Sequence, residues 1–122
     1  MRDIVKAAKA LSDETRLRIL NLLLVRECCV CEVMQALKVS QSRASRNLNL
    51  LHDTGFLNVR REGLWAYYSI DKSSLKDYVS ALLNAIELGL ANNEIASSDR
   101  EHLNGAKRLG AKCCKLWSTK KT

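Results

Sequence analysis

Five cysteines carry the reactive chemistry of this chain. Cys28, Cys29 and Cys31 fall within four residues, and Cys113 and Cys114 are adjacent near the C-terminus. Thiolates hold soft ions, attack electrophiles and pair under oxidation. An isolated cysteine is most often a small buried hydrophobe. Packing alone, however, gives no reason to prefer sulfur to alanine or valine three times in four positions. The odd number of thiols, and the lack of an apolar signal core in the opening MRDIVKAAKALSDETR, predict reduced thiols in a cytoplasmic protein rather than a secreted disulfide framework.

The elements that must position these thiols are mostly helical. Ile4, Ala7, Ala8 and Leu11 share one face of a helix over 3–10. Ser12 reads as the cap of a second helix reaching about Val25, with Leu17, Leu20 and Leu24 at helical spacing. Glu32 to Leu37 reads as a short helix, and after the connection KVS a further helix runs from Gln41 to Leu51 under the cap Ser40. Ala44, Leu48 and Leu51 form its apolar face. Its other face holds Gln41, Ser42, Ser45, Arg46 and Asn49, short hydrogen-bonding groups with a single full charge. That composition suits base edges and phosphates better than plain solvation.

LNVRR and WAYYSI alternate as strands of a hairpin turning at Gly63, with Arg60 and Arg61 at its base. A helix starting at Asp71 or Ser73 carries the stripe Leu75, Tyr78, Val79, Leu82, Leu83, Ile86 and Leu90. The stripe is long for a small domain and is read as a dimer seam, with an intramolecular core helix as the alternative. Asn92 to Ser98 reads as a polar break before a last helix capped by Ser98. The order of elements is mainly α with a two-stranded β wing: a dimeric winged helix-turn-helix. The expected division is a DNA-binding and dimerisation domain over 1–92 and a basic extension over 93–122.

Charge agrees with this reading. Twenty Lys and Arg against thirteen Asp and Glu leave +7, which favours a polyanionic partner, nucleic acid first. No apolar run is long enough to cross a membrane.

The segments LSDETRLRILNLLL, LKVSQSRASRNLNLLHDTGFL and RREGLWAYYSI, in this order, resemble the ArsR/SmtB-type metal-sensing repressors over roughly residues 3–90. The resemblance implies a homodimer that binds double-stranded operator DNA and leaves it when a metal or metalloid binds. DNA contacts would fall on Ser40, Gln41, Ser42, Arg43, Ser45, Arg46, Asn49, Arg60 and Arg61. Asn47 and Asn49 stand where family members often carry His and Lys, which bears on operator sequence. The first and last core helices would form the dimer interface, with Ile4, Leu75, Val79, Leu82, Leu83 and Ile86 in it.

ECCVCEV resembles the Cys-Val-Cys box of the branch that responds to trivalent arsenic and antimony, with Cys29 and Cys31 at the two box positions. That implies As(III) or Sb(III) as inducer, with no resident cofactor. Trivalent arsenic takes three soft thiolates in a pyramid. Here Met34 replaces the third cysteine common in that branch, and Cys28 is extra, so the third ligand stays open among Cys28, Cys113 and Cys114. No cysteine precedes residue 28, unlike the cadmium- and lead-sensing branch, and no His lies between Ser73 and Leu90, unlike the zinc-sensing one.

In an ideal helix Cys28 and Cys31 share a face, whereas Cys29 and Cys31 are about 200° apart and would converge only if the helix start unwound. The helix N-terminus and the basic field are expected to lower the thiol pKa values. Two other functions fit the same residues: a redox repressor with a Cys28–Cys31 disulfide, and a thiol-dependent arsenate reductase. The reductase lacks an anion-cradling glycine loop and a histidine near the thiols in sequence.

Overall fold

The computed structural model describes residues 1–108. The chain folds as α1 (Arg2–Ala10), α2 (Glu14–Val25), β1 (Cys28–Cys29), α3 (Val30–Leu37), α4 (Gln41–Asp53), β2 (Asn58–Glu62), β3 (Trp65–Ser69), a 3-10 turn (Lys72–Ser74), α5 (Asp77–Leu90) and α6 (Glu94–Gly105). α2 sits at the centre, burying Ile19, Leu20, Leu22 and Leu23, and packs against α3, α4, α5 and α6. Its cap is Asp13, whose carboxylate accepts the Arg16 amide at 3.0 Å; Ser12 instead donates to the Lys9 carbonyl, one residue too early to cap α2.

The helix-turn-helix is α3, a three-residue turn and α4. Lys38 closes α3 in the left-handed conformation, φ 58°, where glycine or asparagine is usual. Val39 is buried, and the Ser40 hydroxyl caps α4 by accepting the Arg43 amide at 3.2 Å. Ala44, Leu48 and Leu51 are all fully buried, so α4 seats the expected face. At its end Gly55 takes φ 92°, its amide bonds the His52 carbonyl, and the next amide, Phe56, bonds Leu51. This paired closure turns the chain and drives Phe56 into the core.

The wing has three strands, in the order β1-β3-β2, all antiparallel. Cys28–Cys29 supplies the added edge strand, pairing Cys28 with Tyr68 and Cys29 with Tyr67. Two residues are too short to show an alternating pattern in sequence.

α6 belongs to the same core, so the boundary expected after residue 92 does not separate two units. Asn93 caps it from within the supposed polar break, accepting the Ala96 amide at 3.0 Å; Ser98 lies inside the helix. Leu103 is fully buried, and Asp99, equally hidden, takes two bonds from Arg18 at 2.8 and 2.9 Å. In α5, Val79 and Leu83 lie in this protomer's own core and cannot serve as a free seam. Leu75, Leu82 and Ile86 are half-buried against that core, while Ile4, Val5 and Leu88 stay exposed. Burial on α1 falls on Ala7 and Ala10.

Leu103→Ala is expected to cost about 2–5 kcal/mol, as for other buried leucines. Urea unfolding checks it, and an unchanged midpoint would show α6 undocked.

Candidate functional site

The two box thiols meet at the start of α3. Cys29 is not helical: it is the N-cap of α3 in extended backbone, φ −88°, ψ 170°, while Cys31 lies in the first turn. Their Sγ atoms are 2.6 Å apart, so no helix unwinding is needed to bring them together. The helical geometry assumed for the pair fails because residue 29 precedes the helix. Both thiols are buried with Tyr67, and Trp65 packs against the group.

Cys28 does not join them. Successive side chains of a strand point to opposite faces, so Cys28 enters the main core while Cys29 faces Tyr67. The Cys28 thiol meets only the Arg26 carbonyl at 3.5 Å, and burial pushes its pKa up to about 12. The expected Cys28–Cys31 face, and the disulfide built on it, are therefore absent. Met34 is also fully buried in the core. Among the described residues no cluster of three or more His, Cys, Asp or Glu is placed to hold an ion. Cys113 and Cys114 lie outside the described residues.

Thiol acidity runs against expectation. The hydrogen bond with Cys31, and then burial, hold Cys29 well above the ordinary thiol range. The helix N-terminus does not supply free positive charge here, because Glu32 fills it. The Glu32 carboxylate accepts the Cys29 amide at 3.0 Å and completes a capping box with Cys29 in the place of the usual serine. Only 2% exposed, it also pairs with Arg26 and with Arg108, the latter at 2.9 Å. Burial alone would raise this carboxyl, but the Cys29 amide, Arg26 and Arg108 outweigh it and hold its pKa low.

The segment after α6 lies over the thiols. Gln35 grips both backbone polar groups of Lys107, accepting its amide at 3.0 Å and donating to its carbonyl at 2.8 Å. That carbonyl stands 3.9 Å from the Cys31 sulfur. Arg108 donates to the Glu27 carbonyl at 3.1 Å and lies 4.7 Å over the Tyr67 ring. Glu32, Gln35 and Arg108 were not singled out by sequence reading; the Cys29-x-x-Glu32 spacing was the one available signal.

The polar face of α4 is open. Ser40, Gln41, Ser42, Arg43, Arg46 and Asn49 are exposed and Ser45 is half-exposed. Two candidates have internal duties. The Arg43 guanidinium donates to Thr15 at 2.7 Å, and Asn49 accepts the Tyr68 hydroxyl at 3.1 Å, tying α4 to β3. On the wing the two arginines separate. Arg60 turns to the thiol side, pairing with Glu62 and, at 2.8 Å, with Glu27, and lying 4.5 Å over Tyr67. It is thus largely neutralised as a phosphate contact. Arg61 falls on the opposite face, exposed and with no ion pair among the described residues.

A helix-turn-helix with an open polar recognition face and a β wing defines a winged-helix DNA-binding regulator. Comparison with known proteins agrees. Residues 13–59 match the family described as bacterial regulatory protein, arsR family. The chain is 36% identical over 110 residues to the arsenic resistance transcriptional regulator ArsR2 of Pseudomonas putida, covering 87% of this chain and 93% of that one. It is 42% identical over 78 residues to a cadmium resistance transcriptional regulatory protein CadC homolog of Staphylococcus aureus, covering 63% of this chain and 64% of that relative. A homodimeric winged helix-turn-helix DNA-binding domain from Mycobacterium bovis superposes with a TM-score of 0.61 at 29% identity, covering 76% of this chain and 82% of that domain. The chain belongs to the ArsR family of transcriptional repressors. It is a regulator and not an enzyme, and no described helix is long and apolar enough to cross a membrane.

Arg61→Ala is expected to weaken DNA binding and lower the salt slope by about one, as for a lost phosphate contact. Arg60→Ala should move the slope less. Fluorescence anisotropy across a salt series separates them, and equal effects would refute the division.

Proposed function

We propose that this repressor binds operator DNA as a homodimer and releases it when trivalent arsenic or antimony takes Cys29 and Cys31. The observation that carries this reading is the 2.6 Å approach of the two sulfurs at the N-cap of α3, the helix on which α4 rests. Two convergent soft donors in a buried, aromatic-walled niche suit a soft, compact ligand. Arsenous acid also brings its own hydroxides, which leave as water with the thiol protons. The raised pKa of Cys29 therefore opposes it less than it opposes a bare divalent cation. The same burial leaves little thiolate on Cys29 to attack a peroxide.

A route for release runs through β3. Tyr67 faces the thiols, and the next residue, Tyr68, holds Asn49 of the recognition helix. Spreading the two sulfurs around a ligand strains the Cys29–Tyr67 pairing and the α3 cap together. Tilting α4 takes the dimer out of register with two major grooves about 34 Å apart. A coupling of about 1–3 kcal/mol, typical of allosteric effectors, is enough for derepression. Dimerisation is assigned to the exposed apolar residues of α1 and α5, including Ile4 and Leu88.

Cys29→Ser and Cys31→Ser should each bind operator normally and fail to release it with arsenite in a gel-shift titration. Normal release by either variant would reject the site. Ile4→Asp combined with Leu88→Asp should give monomers by light scattering, and an intact dimer would reject the seam.

A further inference from the structure

We propose that Lys6 and Lys9 of α1, with Arg16 of α2, form a second DNA-backbone contact beside the recognition helix, one that grips phosphate and reads no base. This rests on the reading of α4 as the helix that enters operator DNA.

α1 buries Ala7 and Ala10, and Lys6 and Lys9 flank that face, exposed. With Ala10, Arg16, Leu50 and Thr54 they line a hollow between α1, α2 and the C-terminal half of α4. Among the described residues no carboxylate lines this hollow, and neither lysine forms an ion pair. Asp3 and Asp53 border the adjacent hollow, which Lys6 shares, without pairing with it. The Arg16 guanidinium donates to the Ala10 carbonyl at 2.6 Å, the Lys9 carbonyl at 3.3 Å and the Asn47 side-chain oxygen at 3.2 Å. These acceptors are neutral, and the Asp13 carboxylate approaches only to 4.0 Å, so most of the positive charge is kept. Arg18, Arg26 and Arg108, by contrast, are matched to buried carboxylates.

The placement fits a duplex. Asn47 faces Arg16 and the end of α1, whereas Asn49 holds Tyr68 of the wing. Residues two apart on a helix are about 200° apart, so α1 and the wing flank α4 on opposite sides. A helix in the major groove has a phosphate backbone along each side. The wing, with Arg61, serves one side, and the α1 lysines serve the other. Lysine, a flexible point charge, meets phosphate without fixed geometry and carries no sequence information.

Fluorescence anisotropy on a DNA duplex of arbitrary sequence, with the full chain across a salt series, tests this. Each lost phosphate contact flattens the salt slope by about 0.9, so Lys6→Gln/Lys9→Gln should flatten it by about 1.8 for each protomer engaged. Lys6→Arg/Lys9→Arg should keep the parent slope. Lys72→Gln removes a lysine already paired with Glu87 at 3.8 Å and should change nothing. An unchanged slope in the Gln variant, a fall in the Arg variant, or an equal fall per charge in Lys72→Gln overturns the assignment. Light scattering should show the Gln variant as dimeric as the parent; monomers would place the lysines in the seam and overturn it as well. If Arg46→Ala flattens the slope while the lysine variant does not, α4 stands and only this inference falls. If neither variant changes the slope, the reading of α4 is itself wrong.

Discussion

The buried carboxylate of Glu32 joins three parts of this protein. It caps the first turn of α3 through the Cys29 amide and binds Arg26 at the end of α2. It also binds Arg108, just past α6. A buried carboxylate is tolerated only when its charge and lone pairs are matched, and removing one partner from such a pair costs about 3–5 kcal/mol. Because both arginines are about one-third exposed, the cost here falls toward the low end. The consequence is geometric. The backbone carrying Cys29 and the segment over Cys31 are held by one side chain, which ties them to α2 and α3.

The pleat of β1 then decides which sulfurs are available. Cys28 and Cys29 are adjacent in sequence and chemically identical. One is a core residue and the other lines the candidate site, because strand neighbours face opposite ways. The same alternation runs across the sheet. Tyr67 and Arg60 share the thiol face with Cys29, while Tyr68 and Arg61 do not. The three-stranded wing therefore has a face that carries the thiol pair and a face that meets the main core, and β3 contributes adjacent tyrosines to the two. This gives the +7 chain an uneven use of its positive charge. Arg60, Arg26 and Arg108 are spent on internal carboxylates, whereas Arg46 and Arg61 remain on exposed surface.

Most of the fold was legible because it rests on helical periodicity and local chemistry. The Ala44, Leu48, Leu51 stripe, the Ser40 cap and the Gly63 turn depend on residues a few positions apart, and each occurs as expected. The α5 stripe showed where sequence is ambiguous. An apolar face states that something covers it, and only packing shows that Val79 and Leu83 are covered from within. α6 was harder to place, since its docking uses a long-range ion pair, Arg18 with Asp99, that no local pattern announces.

By itself, the sequence determined that thiols cluster ahead of a DNA-reading helix in a basic winged-helix chain. Composition, spacing and turn chemistry are local properties. The tertiary structure decided which thiols meet, how acidic they are, and what lies over them. Those depend on strand pairing between residues 28–29 and 67–68 and on Glu32 joining segments 76 positions apart. A side chain's direction and its dielectric surroundings are set by what packs against it, and that is fixed only when distant parts of the chain come together.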